Sequence, residues 1–538
     1  MTDQLSDQGR QPLMSRRAIN FTMTGIVLSL FVGIMSGTII ANALPVIIRE
    51  LHGSQSQYTW IVAITLLVST AVTPVWGKIS DVYNKKTLLL AGVGIYVVGS
   101  MLCGISGSVT WLLFARGLQG IGHAGLQAMG QIVMAAIVSP RERGKYSGYI
   151  GSAFGVGTVA GPLVGGVIVD TPWLGWHWCF FIVVPIAIVS MVLVYRNLTL
   201  PAVTAGKVKI DIIGAALLSA AISGFMVWVT IAGRDFPWMS LPSAALVVPS
   251  AIALVVFVLY ELRVAVPLIP LNLFANRTML MAIVLSINVG LMTFGLPPFL
   301  GQYFQVARGH TATESGLLTL PMIIGLVALS TYSGYRVTRT GRWKLWLVTG
   351  MALMTVASVG MIFLTSQTPI WLVGVWIWLL GMALGMTSQN TVLAVQNSVP
   401  TADLGAATAL VGFFRSFGGG AGVAILGVML NNRLGAVLAD GLATLPGAHP
   451  TADALLGSLG DVGTMPAGMR AVVRDSYGLA TGHIFWLMAA MAVISLICVL
   501  NMREQLLRTT IDETTDGDPI NEGDSGTGSA RRERGGVV

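Results

Sequence analysis

Two ionisable residues interrupt an otherwise apolar stretch, LLFARGLQGIGHAG at residues 112–125. Arg116 and His123 are seven residues apart, which places them on one face of a helix, and Gln119 and Gln127 extend the same polar face. An unpaired arginine at the centre of a membrane helix costs about 2.5–3.5 kcal/mol, so its side chain is expected to face a cavity or a partner. Histidine titrates near neutral pH, so His123 is a candidate proton carrier beside a fixed cation. A structural histidine bonded to a neighbouring helix is the competing interpretation.

A short charged segment, GKISDVYNKK at residues 77–86, places a carboxylate shortly before two cations. Such a loop can hold neighbouring helix ends through charge and helix-dipole contacts. The charges alone are also typical of any basic cytoplasmic loop. A similar segment, GYRVTRTGRWK, recurs at residues 334–344 and favours the gating interpretation. The predicted gating residues of the two segments are Gly77, Asp81, Lys85, Lys86, Gly334, Arg339 and Arg342.

A glycine-rich segment, SAFGVGTVAGPLVGG at residues 152–166, lies inside a run that is otherwise as apolar as lipid. Glycine and proline cost roughly 1 and 3 kcal/mol relative to alanine in an ordinary helix interior. In lipid, small residues allow helix backbones to touch, and that contact drives helix packing. The spacing therefore predicts either a contact between two halves that separate and close again, or a static packing contact. The residues concerned are Gly157, Gly161, Pro162, Gly165 and Gly166.

The composition requires the polar-face motif and the glycine-rich motif to lie in membrane-spanning helices, with the charged segments in the connections between such helices. The chain has 538 residues, of which 54% are hydrophobic and 10% charged, and its mean hydropathy is +0.77. Fourteen apolar runs are each long enough to cross a hydrocarbon core about 30 Å thick. Runs of this kind must be helical, because an open strand leaves backbone groups unpaired in lipid. An all-α polytopic membrane protein with 14 transmembrane helices is expected.

The net charge of +8 reflects the distribution of Lys and Arg among the connections between helices and does not indicate nucleic-acid binding. Lys and Arg concentrate in alternate connections, which predicts that both termini lie in the cytoplasm and that the protein resides in the cytoplasmic membrane. The three cysteines fall in spanning segments and form no metal-binding pattern. Neither a metal site nor a cofactor is expected.

An offset of 257 residues relates two halves of the chain. It places Gly77 on Gly334, Lys85 on Arg342, and the glycines at 155, 161 and 165 on those at 412, 418 and 422, although Asp81 falls on Thr338. Repeated halves are common in secondary transporters, with the substrate site between them. The predicted organisation is a cytoplasmic N-terminal tail (1–20), a six-helix bundle (21–198), an inserted helix pair with linkers (199–277), a second six-helix bundle (278–501) with a long outer loop (432–481), and a disordered cytoplasmic tail (502–538).

The motifs G-x-x-x-D-…-K-K, R-x-x-Q-G-x-G and G-x-x-x-G-P-x-x-G-G resemble the three signature motifs of the major facilitator superfamily. Together with the segments TIIANALP and GWHWCFFIVVPIA, they resemble its 14-helix drug:proton antiporters. The resemblance implies that Asp81 and the loop cations gate the cytoplasmic side, that Arg116 takes part in proton coupling, and that the proline-glycine segment marks an antiporter.

The chain departs from the family pattern at several positions. Ser36 stands where an aspartate is common, Asn84 where the loop usually has glycine, and His177 and Val183 where arginine and asparagine are usual. The obvious proton acceptor in the first helix is therefore missing. Its role would pass to His123, to Asp81, or to carboxylates nearer the helix ends. Those carboxylates are Glu50, Asp170 and Glu314.

The expected function is proton-driven export of hydrophobic or amphiphilic small molecules by alternating access, with the proton gradient as energy source. An exporter of an endogenous lipid or envelope precursor and a solute:proton symporter are the alternatives. An enzyme finds no support, because the chain has no GxSxG, metal cluster or phosphate-binding loop. The expected partners are the substrate, protons and the bilayer, and the expected state is a monomer. Because acidic residues are scarce, neutral or anionic amphiphiles are expected to suit the cavity at least as well as cationic compounds. The predicted cavity residues are Ser36, Asn42, Gln119, Gln127, Asn288 and Arg415.

Overall fold

A computed structural model describes residues 14–52, 55–171, 173–200, 211–232, 236–264, 267–443 and 465–507. Within these residues the chain is almost entirely helical, as predicted, and its strand-like pairing is one isolated bridge between Ala232 and Phe236. The first group of helices comprises α1 (Arg16–Glu50), α2 (Gln55–Val82), α3 (Lys85–Gly104), α4 (Val109–Ile137), α5 (Pro140–Asp170), α6 (Trp178–Phe181) and α7 (Val183–Asn197).

The remaining helices form an inserted pair and a second group. The pair is α8 (Ile212–Ile231) and α9 (Leu241–Glu261). The second group comprises α10 (Arg277–Gly290), α11 (Leu296–Gln302), α12 (Ala312–Leu318), α13 (Leu320–Thr340), α14 (Lys344–Ile362), α15 (Ile370–Ser398), α16 (Leu404–Leu442) and α17 (Ala467–Leu500). Two π-helical segments, Leu291–Gly295 and Tyr303–Ala307, flank α11.

Twelve helices of the described chain are long and apolar enough to cross a membrane. Helices α4 and α5, with 29 and 31 residues, are long enough but are not among the twelve. Polar residues in α4 and glycines in α5 lower their hydropathy, because these residue types transfer poorly into hydrocarbon. The polytopic helical fold is therefore confirmed, and the count of fourteen spans stays a prediction.

The core divides into two bundles. One cluster of buried apolar side chains runs from Met14 to Leu198 and joins α1–α7, and the other is formed mainly by α10–α17. The inserted pair packs where α2 of the first bundle meets α16 of the second. The Ser219 hydroxyl of α8 donates to the carbonyl of Ala71 at 3.4 Å, and Phe225 stacks on Phe417 of α16. The pair therefore covers one junction between the bundles.

Several predicted loop boundaries are wrong because helices continue through them. Helix α2 runs to Val82, so Gly77 and Asp81 lie in its last turns, and Gly334 and Arg339 likewise lie in α13. The N-cap of α3 is Asn84, whose φ of −60° shows that no left-handed turn is needed there.

The predicted outer loop 432–481 is also much shorter in the structure. Helix α16 continues to Leu442 and α17 starts at Ala467, so residues 467–481 are helical. The tail predicted from residue 502 is ordered at its start, where the backbone N–H of Leu507 donates to the carbonyl of Gly341 at 3.3 Å. The predicted disorder of residues 508–538 and most of the N-terminal tail lie outside the described residues.

Candidate functional site: two seams and the cavity between the bundles

The two bundles meet along two lines of close helix contact, which we call the α2/α16 seam and the α5/α13 seam. Both seams reach the end of the molecule that carries the α2–α3 and α13–α14 connections, which we call the basic end. The described N-terminal residues lie at this end too, since Arg16 forms an ion pair with Glu142 at the start of α5. The described C-terminal residues join it through Leu507 and Gly341.

In the α2/α16 seam, a carboxylate of one bundle caps a helix of the other. The side-chain oxygens of Asp81 accept hydrogen bonds from the backbone N–H groups of Gly405 at 2.9 Å and Ala406 at 3.0 Å. Both donors lie in the first turn of α16, where backbone N–H groups lack helical partners and the helix dipole favours negative charge. One turn before Asp81, Gly77 lies directly against Ala409 and the carbonyl of Gly405. Asp81 thus joins the end of α2 to the start of α16 through two hydrogen bonds.

In the α5/α13 seam, the charge is reversed. The guanidinium of Arg141 in the first turn of α5 donates to the carbonyls of Thr338 at 3.1 Å and Arg339 at 2.8 Å. These carbonyls end α13, where a cation complements the helix dipole. Sequence analysis did not identify Arg141 as a gating residue. The repeat aligns Asp81 with Thr338, so no charged residue of α13 indicated that a partner such as Arg141 should be sought in α5.

The α5/α13 seam rests on a row of glycines that the sequence analysis missed. Backbone to backbone, Gly144 lies against Gly334, and Gly148 lies against Thr331. Further along α5, Gly151 lies against Ser330 and Gly155 against Val327. The spacing of four, three and four residues keeps these glycines on one face of α5, which was the available signal.

The glycines of the proline-containing motif occupy another face of α5, and their predicted role between the halves is wrong for this structure. They pack α5 against α1 of the same bundle: a Cβ on Gly157 would lie 3.2 Å from Ile34, and one on Gly165 would lie 2.8 Å from the carbonyl of Ile39. Gly161 lies against Thr38, whose hydroxyl donates to the carbonyl of Gly157 at 3.2 Å.

Two members of that motif make no described contribution to this packing. A Cβ on Gly166 would meet nothing within 4 Å. The side chain of Pro162 lies outside the described residues, although α5 continues through its position.

The predicted repeat is visible in equivalent contacts. Gly418, which the offset aligns with Gly161, lies against Ile287 and packs α16 onto α10. Gly155 and its equivalent Gly412 both face the opposite bundle, Gly412 towards Thr73 at 3.7 Å. Equivalent glycines therefore make equivalent contacts within and between the bundles.

The remaining loop cations lie around the basic end. Lys86 lies over the ring of Tyr195 at 5.2 Å, and the guanidinium of Arg339 lies 4.4 Å from the centre of the Tyr335 ring. Lys85 acts electrostatically on Asp81. In the short α13–α14 connection, the backbone N–H of Arg342 donates to the hydroxyl of Thr340 at 3.3 Å.

A cavity of about 70 Å³ lies between the bundles. Sites for drug-sized ligands measure about 300–1,000 Å³, so this conformation is too tight for such a ligand. Helices of both bundles and the π-helical segment contribute to the walls. The lining residues are Leu66, Ser69, Thr73, His123, Ala124, Gln127, Ala128, Gln131, Phe154, Phe294, Val392, Thr408, Ala409, Gly412, Arg415 and Ser416.

Arg415 is the charged residue of this lining. Its Nη2 donates to the carbonyl of Ser388 at 2.7 Å, whereas its buried Nε has no hydrogen-bond partner. Across the cavity, Gln131 of α4 donates to Gln389 of α15 at 3.0 Å, and the side-chain oxygen of Gln131 is unpaired. Among the described lining residues none is acidic. The cavity lining therefore combines one guanidinium group with amide and hydroxyl side chains in mainly apolar walls.

Arg116 does not line this cavity. It is 4% exposed, and it donates to the carbonyl of Ile61 at 3.2 Å and to Gln119 at 2.6 Å. The amide of Gln119 donates in turn to Ser100 at 2.8 Å and to Ser36 at 3.4 Å. The arginine is thus satisfied inside the first bundle, between α1, α2, α3 and α4.

The predicted set of cavity residues is accordingly split by the structure. Gln127 and Arg415 line the cavity, as does the candidate proton carrier His123. Ser36 and Gln119 belong to the Arg116 network instead. Asn288 is fully buried inside the second bundle, where its amide donates to Ser495 at 3.1 Å. The Asn42 side chain lies outside the described residues.

Phe294 and the Gln131–Gln389 pair are cavity residues that sequence analysis missed. Phe294 lies in the π-helical segment Leu291–Gly295, a type of segment that often occurs at functional sites. It packs against Gly419 of α16. The offset of 257 aligns Gln131 with Ser388, the neighbour of Gln389, and this near-match was the signal for the pair. Among the residues described, no group of three potential metal ligands occurs.

The sequence of this chain is similar to one family profile and to bacterial transporters. The sequence profile described as Major Facilitator Superfamily matches residues 26–423. An uncharacterized MFS-type transporter of Mycobacterium tuberculosis is 36% identical over 510 residues, which cover 94% of this chain and 72% of that protein. The multidrug transporter protein MdtP of Bacillus subtilis is 31% identical over 438 residues, or 81% of this chain and 79% of that protein.

The fold is shared with solved structures as well. The proton:xylose symporter XylE superposes with a TM-score of 0.61 at 13% sequence identity, covering 89% of this chain and 95% of XylE. With the two bundles and the repeated contacts, these matches show that the chain belongs to the Major Facilitator Superfamily and is a multi-pass membrane transporter rather than an enzyme.

Proposed function

We propose that this transporter exports hydrophobic or amphiphilic small molecules across the cytoplasmic membrane in exchange for protons. The observation that carries the proposal is a mainly apolar cavity between two bundles that are joined at the basic end by two seams. The cavity is too small for a drug-sized molecule while these seams are closed, so transport requires the bundles to rock apart. The relative named as a multidrug transporter supports export of such compounds.

The topology of this proposal follows the charges. The basic end is placed in the cytoplasm, because clusters of Lys and Arg stay on that side of a membrane. Both termini are then cytoplasmic. With this orientation the closed seams lie at the cytoplasmic side, where the carboxylate of Asp81 and the guanidinium of Arg141 would hold the two bundles together. A single chain contains both bundles, so a monomer suffices for this cycle.

The lining of the cavity favours neutral or anionic amphiphiles over cations. A lipophilic dication would find Arg415 and no lining carboxylate among the described residues. An anionic group could instead pair with the guanidinium of Arg415, and guanidinium groups suit carboxylates and phosphates because their donors form a planar fork.

Energy coupling is assigned to protons, without a cofactor. His123 faces the cavity and Arg116 lies seven residues earlier on the same helix, in a network that joins four helices of the first bundle. A proton on His123 would place a second positive charge near this arginine and alter how the two bundles pack. The contact of Asp81 in the α2/α16 seam would then open or close in response to this change.

Proteoliposomes with an imposed pH gradient test this function. We expect proton-driven uptake of an anionic and a neutral amphiphile in the inside-out orientation. Arg116→Ala and His123→Ala should reduce it, whereas Asp440→Asn, which changes an exposed carboxylate far from the cavity, should leave it unchanged. If both helix α4 variants transport like the wild type, the coupling assignment is wrong.

The preference for substrate charge has its own test. Arg415→Gln should lower transport of the anionic amphiphile and preserve transport of the neutral one, because an amide cannot supply the positive charge. Transport of a dication with no transport of neutral or anionic compounds would contradict the proposed substrate class.

A second candidate, export of an endogenous lipid or envelope precursor, is favoured by the outer ends of α16 and α17. These ends share a small apolar core of Leu438, Leu442, Met465 and Val473 beyond the main bundles. Deleting residues 443–466 and joining the two helix ends by a short linker should spare export of added amphiphiles and abolish the native task. Loss of both activities would argue against a dedicated lipid role.

A further inference from the structure

Two acidic residues of the inserted helix pair are buried together at the basic end. Asp211 is the N-cap of α8 and Glu261 is the last residue of α9, and they are 8% and 3% exposed. Both face Gly214, where a Cβ would collide with Oδ2 of Asp211 and approach Oε1 of Glu261 to 2.8 Å. The two carboxyl groups therefore share the space that the missing side chain of Gly214 leaves free.

Each carboxyl group has one oxygen paired and one oxygen unpaired. Oδ1 of Asp211 accepts from the backbone N–H of Gly214 at 2.8 Å, and Oε1 of Glu261 accepts from that of Leu268 at 3.1 Å. Oδ2 of Asp211 and Oε2 of Glu261 are fully buried and have no hydrogen-bond partner. An unpaired buried oxygen costs about 1–3 kcal/mol, and more when it is charged.

The charges around the pair do not compensate two ionised carboxylates. Two adjacent carboxylates cannot both remain ionised at little cost, because like charges disfavour each other strongly when buried. Lys78 of α2 acts electrostatically on Glu261, and the Tyr260 hydroxyl interacts with Asp211. The ammonium group of Lys78 forms no direct ion pair with either carboxyl group. It therefore does not balance two buried negative charges.

We propose that Asp211 and Glu261 form a proton-binding site of the inserted helix pair. One proton, carried as an O–H bond on one carboxyl group, supplies a donor that the pair otherwise lacks and so allows a hydrogen bond between the two groups across the space at Gly214. It also lowers the charge of the pair from two to one. A divalent cation fits less well, because Ca²⁺ takes six to eight oxygen ligands and Mg²⁺ requires six in octahedral geometry.

The position of the site connects it to the α2/α16 seam. Helix α8 packs along α2 through Ser219 and Ala71. Lys78 follows Gly77 in α2 and acts electrostatically on both Asp81 and Glu261. Loss of the shared proton would strengthen the pull of the pair on Lys78, away from Asp81. The binding site itself does not depend on the proposed export, since it holds its proton in the absence of any substrate.

Infrared difference spectroscopy of the purified protein at neutral pH tests the site without a transport assay. We expect the wild type to show the C=O stretch of a protonated carboxyl group that Asp211→Asn and Glu261→Gln each remove, because the new amide then supplies the donor. Asparagine also preserves the N-cap of α8. The exposed-site variant Asp440→Asn should retain the band. A band unchanged in both site variants overturns the proposal.

A wild-type measurement separates a proton from a monovalent cation. Replacing Na⁺ by choline at fixed pH should leave the carboxyl band unchanged, whereas raising the pH should remove it. A band that responds to Na⁺ at fixed pH overturns the proton assignment in favour of a metal ion. If both measurements support the site while pH-driven export fails, the proposed function is wrong and the proton site stands.

Discussion

The two seams close the same end of the molecule with opposite charges. In the α2/α16 seam a half-buried carboxylate, Asp81, caps the N-terminus of the facing helix. In the α5/α13 seam an exposed guanidinium, Arg141, holds the carbonyls at the C-terminus of the facing helix. Each charge is opposite to the partial charge of the helix end that it contacts. Both seams therefore use a charged side chain at a helix terminus, but the side chain is acidic in one seam and basic in the other.

The seams also differ in what surrounds them. The α5/α13 seam relies on a row of glycines, and close backbone contact without side chains leaves little room for adjustment. The α2/α16 seam has Gly77 against Ala409, and helix α8 of the inserted pair packs beside it. We expect the α5/α13 seam to be sensitive to side-chain volume and the α2/α16 seam to be sensitive to charge.

The largest effect is expected from adding volume to the α5/α13 seam. In Gly334→Ala the new Cβ would overlap the carbonyl of Gly144 and lie 3.3 Å from the backbone nitrogen of Gly148. Because a backbone atom cannot rotate away, the cost should reach the upper part of the range of about 1–3 kcal/mol for overpacking. Transport should fall to a small fraction of the wild-type rate.

Distances between paired spin labels check this expectation directly. Labels on Lys145→Cys and Thr340→Cys span the α5/α13 seam, and labels on Tyr83→Cys and Ala402→Cys span the α2/α16 seam. Gly334→Ala should lengthen the first distance. Gly94→Ala, whose Cβ would meet nothing within 4 Å, serves as the control. Unchanged distances in Gly334→Ala would show that the seam tolerates a methyl group.

The next effect is expected from removing charge at the other seam. Asp81→Asn keeps a side-chain acceptor for Gly405 or Ala406 but loses the negative charge at the start of α16. A charge in such a partly buried position contributes up to about 2 kcal/mol. The same spin labels should show opening of the α2/α16 seam. Asp81→Glu should restore part of the closure, and equal opening in both variants would contradict a charge effect.

The sequence predicted features that depend on nearby residues better than contacts between residues far apart in the chain. The repeat of Gly77 and Gly334, and the role of Asp81 at a helix end, followed from local spacing. The partner of Asp81 did not, because the donors at Gly405 and Ala406 are more than 300 positions away and no local pattern records such a pairing. Arg116 was expected to face either a cavity or a partner, and local spacing could not decide between the two; a backbone carbonyl and a glutamine in its own bundle are its partners.

The glycine motif shows a second limit. A spacing of four residues predicts close backbone contact, but contacts within a bundle and between bundles have the same spacing. Helix α5 uses one glycine face for α1 and another for α13, so the correct pairing depended on helix positions that only the fold supplies.

A smaller effect is expected from Arg141→Gln. The arginine is exposed, and a cation near an exposed helix C-terminus contributes about 0.3–1 kcal/mol. The label distance across the α5/α13 seam should broaden slightly at low salt and match that of the wild type at high salt, because salt screens exposed charges. A large opening independent of salt would mean that Arg141 holds the seam by packing and not by charge.

The smallest effect is expected one residue further along α5. Glu142 forms an ion pair with Arg16 at 2.9 Å, but their side chains are 41% and 87% exposed, and exposed pairs contribute about 0–1 kcal/mol. This pair lies within the first bundle and crosses neither seam. Glu142→Gln should therefore leave both label distances and transport unchanged. If it opened a seam as far as Arg141→Gln does, the general negative charge of the basic end, rather than contact with a helix terminus, would govern closure.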